Sequence, residues 1–285
     1  MKIVRFLGGL GNQMFQYAFY KSLSHHFKKV KADLSYYNYC SDHNGFELGD
    51  IFDIELDYAS DFELKLYSKQ KWKYKKIRQL LFIGEPYIEE EEQYTFNGEH
   101  YNDKLSRIYQ GYWQHYRYVE CIADILLDKF VFRELTSQRN LEILRDIKSR
   151  EESVAIHVRR GDYARYPLLD GIADKSYFLR AIALIKEKYI TPKFYVFSDD
   201  ILWCREHLDL QDVTFIDWNK GTNSYIDMQL MSNCKHIITS NSTFSWWAAW
   251  LNRNPTKIVV VPKTWYRSVY GVDTSKMHPE NWIRI

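Results

Sequence analysis

Short apolar runs alternate with amphipathic stretches at both ends of the chain and less plainly through its middle. Ile3 to Leu7 reads as a strand, followed by a glycine-rich turn, Gly8-Gly9-Leu10-Gly11-Asn12-Gln13, a helix to about Phe27 and a second strand from Val30 to Leu34. Residues 36 to 60 read as irregular. A basic helix is predicted over 64–82, with Lys65, Lys69, Lys73 and Arg78 among Leu64, Ile77 and Leu80, and an acidic run from Glu89 to Glu92 follows it. Helical pattern returns at Tyr116 to Lys129 and at Gln138 to Arg150. From there strands (Val154–Val158, Phe194–Phe197, Val213–Ile216, His236–Thr239, Lys257–Val261) alternate with helices (Lys175–Tyr189, a short one after Asp200, Tyr225–Asn233, Thr243–Leu251). Such alternation predicts an α/β fold with parallel sheet, covered on both faces and binding ligands at the carboxyl ends of its strands. The polar helix near 138–150 is the natural junction, giving an N-terminal domain over 1–135, a boundary helix or linker over 136–152 and a C-terminal domain over 153–285.

Composition narrows the class. With 285 residues, 46% hydrophobic and 27% charged, the chain can bury a sizeable core in one large or two smaller domains. Aromatic residues make up 17%, which suits sugar faces and core packing equally. A net charge of +2 from 39 basic and 37 acidic residues gives no field that argues for nucleic acid. Cys40, Cys121, Cys204 and Cys234 lack CxxC or Cys-His spacing, so neither a disulfide framework nor structural zinc is expected and a reducing cytoplasm fits. The run from Met1 to Leu7 reaches Gly8 too soon for a signal peptide, and no apolar stretch approaches the ~20 residues that span a bilayer. A cytoplasmic protein is expected, at most attached to the inner face of the membrane. There the basic stretch 64–82 would contribute ~1 kcal/mol per basic residue near an anionic surface. The simpler reading is a solvated helix face partly offset by the acidic run.

Three segments carry chemistry. The apolar strand Ser153 to Val158 runs into Arg159-Arg160-Gly161-Asp162, which puts His157, two guanidinium groups and a carboxylate at a strand's carboxyl end. Arginine offers a planar fork of donors to phosphate oxygens with a charge independent of pH, so it can replace a metal in stabilising a departing diphosphate. One arginine is expected to bind Asp162 or backbone and the other to face the ligand. In the second segment, Ser240-Asn241-Ser242-Thr243 precedes the apolar helix Phe244 to Leu251; one of these side chains should cap the helix, whose N-terminus is also an anion site. Third, Ser198-Asp199-Asp200 ends a strand. Adjacent aspartates on extended chain point to opposite faces, so no metal site is expected; one should cap the next helix and the other accept hydrogen bonds from a base or ribose. Asp227 is expected as a surface or capping carboxylate. The turn Gly8 to Gln13 fits neither the dinucleotide fingerprint nor the P-loop, and Asn12 and Gln13 are either helix-start residues or polar groups facing a cleft.

Taken together, Gly8-Gly-Leu-Gly-Asn-Gln-Met-Phe-Gln-Tyr-Ala18, His157-Val-Arg-Arg-Gly-Asp-Tyr163, Ser240-Asn-Ser-Thr-Phe-Ser-Trp-Trp247 and Gly111-Tyr-Trp-Gln114 resemble the bacterial α-1,2-fucosyltransferase family over essentially the whole chain. The His-x-Arg-Arg-x-Asp element is similar to one shared with α-1,6- and protein O-fucosyltransferases. The resemblance implies a GT-B-like architecture of two Rossmann-like domains facing a cleft. GDP-fucose would be held by the second domain and a galactose-terminated glycan or lipid-linked oligosaccharide by the first, with no cofactor and no metal. It also implies that Arg159 contacts the diphosphate, with Arg160 beside it, and that Ser242, Thr243 and Phe244 cradle the phosphates. His157 and Asp199 would lie near the nucleoside and Asn12 near the cleft centre, with Gly11 beside the donor; His157 and Asp162 are the candidates for a general base. Rival readings are an α-1,6-fucosyltransferase acting on chito-oligosaccharides and a non-catalytic GDP-sugar or glycan binder.

Overall fold

The computed structural model describes residues 1–285 apart from 41, 42, 69–71, 82, 85, 91, 92, 162, 164, 165 and 268–272, and the chain forms two compact units, Met1–Val131 and Phe132–Ile285.

The first unit contains β1 (Lys2–Arg5), α1 (Leu10–His26), β2 (Val30–Asp33), α2 (Leu48–Phe52), α3 (Asp61–Tyr67) and α4 (Lys75–Leu80), then β3 (Tyr87–Glu89), β4 (Arg107–Gln110), α5 (Tyr116–Glu120) and α6 (Ala123–Lys129). Its four strands pair in parallel in the order β2-β1-β4-β3. Because β1 has β2 on one side and β4 on the other, the strand order reverses between β1 and β4. In open α/β sheets that reversal opens a crevice at the carboxyl ends. Helix α1 is buried along most of its length, with Met14, Phe15, Ala18 and Phe19 in the core and polar Gln13 and Gln16 buried beside them. Lys2 is buried in β1, and its ammonium is satisfied by the carbonyls of Asp103 and Leu105 (2.5 and 2.9 Å) and by the Tyr109 hydroxyl (3.2 Å).

Three sequence expectations change in this unit. Residues 36 to 60 are not wholly irregular, since α2 lies among them and buries Leu48, Ile51 and Phe52. The continuous basic helix over 64–82 is replaced by α3 and α4. Ser68 is extended and ends α3, Leu66 and Tyr67 pack against Ile3 and Ile108, and Arg78 Nη1 reaches back to the carbonyls of Leu66 and Ser68 at 2.9 and 3.1 Å. Residues 69–71 and 82 of that stretch, and Glu91 and Glu92 of the acidic run, lie outside the described residues. Finally, the helix expected from Tyr116 to Lys129 is broken at Cys121 and Ile122, where the Ile122 side chain turns into the core.

The second unit contains α7 (Gln138–Ser149), β5 (Ser153–Val158), α8 (Lys175–Lys188), β6 (Lys193–Ser198), α9 (Ile201–His207) and β7 (Val213–Ile216), then α10 (Tyr225–Ser232), β8 (His236–Ile238), α11 (Thr243–Leu251), β9 (Val259–Val261) and β10 (Ile283–Arg284). Six parallel strands stand in the order β10-β9-β8-β5-β6-β7, so the chain winds outward from β5 to β7, returns to β8 and winds the other way. The reversal lies between β5 and β8. Strand β5 is buried along its whole length: Val154, Ile156 and Val158 pack under Phe178, Ala181, Ile182 and Ile185 of α8. Side chains alternate along a strand, so His157 faces the opposite way. The segment 136–152 contains α7, which packs within this unit through buried Ile147, through Asn140 bonded to Asn219 (2.9 Å) and through Asp146, which accepts from Tyr195 Oη at 2.7 Å.

Candidate functional site

In the second unit the predicted residues gather at the β5/β8 reversal. His157 closes β5 and Ser240 follows β8; His157 Nδ1 and Ser240 Oγ lie 3.0 Å apart across the crevice. Burial, helped by the neighbouring Arg159 charge, pushes the imidazole down to about 3, so it is neutral and acts as a rigid polar wall. The Phe244 ring stands 5.5 Å from it. Ser242 caps α11 by accepting from Phe244 N at 3.3 Å, and Thr243 is the first residue of that helix. Behind the cap, Trp246, Trp247, Ala248 and Ala249 are fully buried, so the N-terminus of α11 is held in place. Asn241 anchors the loop through the carbonyls of Leu169 (3.2 Å) and Trp265 (3.1 Å).

Arg159 and Arg160 follow β5 and meet the two aspartates that follow β6. Arg159 Nε lies 3.3 Å from Asp199 Oδ2, and Arg160 Nε lies 3.4 Å from Asp200 Oδ2. Asp199 also accepts from Arg160 N at 2.9 Å, whereas Asp200 caps α9 by accepting from Trp203 N at 3.2 Å. Arg160 is further held over the Trp203 ring at 4.3 Å. Its role is therefore largely to fix the strand end. Arg159 keeps 37% of its side-chain surface exposed beside the crevice, which leaves it able to reach a ligand. Gly161 suits the same packing, because a Cβ there would press to 3.0 Å from Asp199 Oδ2. Tyr163 donates to the Asn241 carbonyl at 3.2 Å and ties the arginine loop to the α11 loop. Asp162 lies outside the described residues. Among the described residues, no three His, Cys, Asp or Glu side chains come together in a group that could hold a metal ion.

Asn12 and Gly11 belong to the first unit, where they sit at the β1/β4 reversal. Gln114, just past β4, donates from Nε2 to Asn12 Oδ1 at 2.8 Å across the crevice. Gln16 ties the same two strand ends, accepting from Leu7 N (3.0 Å) and donating to Gly111 O (3.1 Å). Gln13 is fully buried and serves the loop, donating to Gly8 O and Gly45 O and accepting from Glu47 N. Gly8 has φ +77°, and a Cβ there would fall 2.6 Å from Asn12 Nδ2. The glycines therefore shape a turn that lies directly under the Asn12 amide.

Two groups escaped the sequence reading. Asp227 is not a surface carboxylate: it accepts from Asn219 Nδ2 at 2.7 Å inside the Asn140–Asn219 network, and burial pushes it up to about 7. Glu90 reads in the sequence only as part of an acidic run, yet its carboxylate accepts from Tyr112 N (2.7 Å) and Trp113 N (3.1 Å), and burial pushes it up to about 7 as well. Trp113 has φ 55°, a left-handed conformation that costs a bulky residue roughly 1–3 kcal/mol. A Glu inside a run of four carries no local signal of such a role; a Trp after Gly-Tyr carries at best the hint of a turn.

The sequence profile of glycosyl transferase family 11 matches residues 62–285. The chain belongs to this family. It is 32% identical to an α-1,2-colitosyltransferase of Escherichia coli over 99% of this chain and 98% of that protein. It is 31% identical to the O-antigen biosynthesis glycosyltransferase WbnK of Escherichia coli, with 98% of both covered. Mouse galactoside 2-α-L-fucosyltransferase Sec1 is 27% identical over the whole chain and 74% of its own length. Among solved structures, the α-1,6-fucosyltransferase NodZ superposes with a TM-score of 0.53 at 16% identity, covering 88% of this chain and 92% of NodZ. That likeness establishes the fold class, α/β and GT-B-like with two Rossmann-like units. This family 11 chain is accordingly a glycosyltransferase, and no helix among its described residues is long and apolar enough to cross a membrane.

Proposed function

We propose that the protein transfers L-fucose, with inversion and without a metal, from GDP-β-L-fucose to the 2-hydroxyl of a terminal galactose. The observation that carries this reading is Arg159, half-exposed at the strand reversal of the second unit, beside neutral His157 and the capped N-terminus of α11. A guanidinium beside the N-terminus of a helix suits a diphosphate leaving group. As the bond from the anomeric carbon to the diphosphate breaks, negative charge grows on the phosphate oxygens, and Arg159 would take up that charge. Asp199 and Asp200, the carboxylates a metal would need, are each engaged by an arginine. Neutral His157 orients rather than attacks. The first unit would hold the acceptor, with Asn12 and Gln114 as its polar contacts. The α-1,2 linkage and the galactose acceptor rest on the relatives named for them.

A second donor is favoured by one observation: a relative aligned along almost its full length transfers colitose. Colitose is the 3-deoxy form of L-fucose, so the two donors differ by one hydroxyl, and a site built to bind that hydroxyl rejects the analogue that lacks it. Purified protein is therefore offered GDP-fucose and GDP-colitose separately with a panel of β-galactosyl acceptors, and GDP release is followed with and without EDTA. Acceptor-dependent release from GDP-fucose, unchanged by EDTA, is the expected result. Preference for GDP-colitose would replace the donor; loss on chelation restored by Mn²⁺ would restore a metal to Asp199 and Asp200. GDP binding without any turnover would leave a GDP-sugar binder, and fucose on a chito-oligosaccharide would favour the α-1,6 reading.

A further inference from the structure

At the carboxyl end of the first unit's sheet a chain of contacts runs from β3 across β4 to β1. It starts at Glu90, one residue past β3. Both carboxylate oxygens face the turn that follows β4: Oε2 accepts from Tyr112 N and Trp113 N at 2.7 and 3.1 Å, and Oε1 lies 3.2 Å from Trp113 N. Gly111 makes this approach possible, since a Cβ there would lie 2.5 Å from Glu90 Cβ and 2.7 Å from Oε2. The turn then passes through left-handed Trp113, whose ring is 2% exposed and stacks on Phe19 of α1 at 4.1 Å. Next comes Gln114, also buried, which reaches across the strand reversal to Asn12.

A strand end that only needed closing would not require a tryptophan in a left-handed conformation and a desolvated carboxylate to hold it. Such strain persists where surrounding structure over-determines it, and the place where it is found is informative. Here it sits one residue from the amide that crosses to the glycine-rich turn. We propose that Glu90 is a positioning residue for the acceptor side of the reaction, holding the Gly111–Gln114 turn so that Gln114 fixes the Asn12 amide towards the acceptor. This inference rests on the proposed function for its acceptor, though not for its geometry.

The carboxylate is the form that accepts from both N–H groups through one oxygen while the other also faces the turn. Burial holds Glu90 up at about 7, so its ionised fraction changes within the working range. Tyr112 and Tyr118 are the groups coupled to it, and His100 and His115 flank the turn, with Glu89 preceding it on β3. Burial pushes both phenols up and takes His100 down to about 4, so these three keep their neutral forms over roughly pH 6 to 8.

Glutamine and alanine separate positioning from direct chemistry. In Glu90→Gln the amide oxygen takes the place of Oε2 and still accepts from Tyr112 N and Trp113 N, without a titrating group. In Glu90→Ala both N–H groups lose their partner. The expected result in the full-length protein is a ~10- to 100-fold fall in kcat/KM for the acceptor in Glu90→Ala, the size a misplaced contact produces. Glu90→Gln should stay within about threefold of wild type from about pH 6 to pH 8, because its amide oxygen, like the carbonyl oxygen of the protonated acid, still accepts from both N–H groups. GDP affinity, read by calorimetry, should be the same in all three proteins. Glu90→Gln as inactive as Glu90→Ala would mean that the carboxylate acts on the substrate itself and would overturn the positioning role, as would two variants with wild-type kinetics. Amide hydrogen exchange at Tyr112 and Trp113 needs no substrate: it should quicken in Glu90→Ala and stay slow in Glu90→Gln. Unchanged exchange in Glu90→Ala would sink the inference independently of whether fucose is transferred, whereas a wild-type protein that transfers no fucose refutes only the proposed function.

Discussion

Arg159 and Asp227 show how differently two charged side chains of one unit can act. Arg159 is paired yet half-exposed, so its removal should spare the fold and damage turnover. Arg159→Ala is expected to lower kcat by ~10²-fold or more, as loss of a preorganised contact to developing charge does. Lysine should rescue poorly, because it keeps the charge and loses the fork. A folded Arg159→Ala protein with near-normal turnover would remove Arg159 from the reaction. Asp227 works on stability instead. Burial raises its carboxyl from 3.8 to about 7, so between those values the folded state holds a proton that the unfolded chain has released. Stability from this group is present at acid pH and lost as pH rises towards 7. Glu90 acts in the same direction. Asp227→Asn keeps the acceptor for Asn219 and removes the titration. Urea denaturation should therefore show wild type losing about 2–3 kcal/mol more than Asp227→Asn between pH 5 and pH 8. Parallel pH profiles would mean that Asp227 is solvated.

At the scale of elements, α11 and the Gly111–Gln114 turn are the two pieces on which the site depends. Ser242→Ala removes the cap of α11 and should cost about 1 kcal/mol of stability, measurable as a lower denaturation midpoint. Gly111→Ala should cost more, roughly 1–3 kcal/mol, because its Cβ would collide with Glu90. Equal stability of the alanine variant would show that Glu90 can withdraw from the turn. The second of these pieces was much harder to see in the sequence than the first. Ser242 precedes a nearly continuous apolar helix, and β5, β6 and β8 are short apolar runs that end in polar motifs, so local pattern alone locates them. The strands β3 and β4 are three and four residues long and begin or end in polar side chains, as in Arg107 and Gln110. What makes Arg107–Gln110 a strand is its parallel register with Lys2–Arg5 and the bond from Arg5 Nη1 to Gln110 Oε1, 105 residues apart in the chain. Likewise Asp227 is explained by Asn140, which reaches it through Asn219 from α7. Contacts of that range leave no periodic trace.

For the whole molecule, two α/β units each place their motif residues at a strand reversal: His157 and Ser240 in one, Asn12 and Gln114 in the other. One repeated physical rule thus accounts for why these four motifs read in the sequence lie at strand ends. The central claim is the transfer itself, and it is tested most directly by proton NMR of the product formed from GDP-β-L-fucose and a terminal β-galactoside such as lactose. A single displacement must invert the anomeric centre, so an α-fucosyl signal with a glycosidic link at the galactose 2-hydroxyl is the expected result. A β-fucosyl product would contradict inversion and require a nucleophile such as Asp162. An α-fucosyl unit at position 3 or 6 would leave the displacement standing and overturn the linkage.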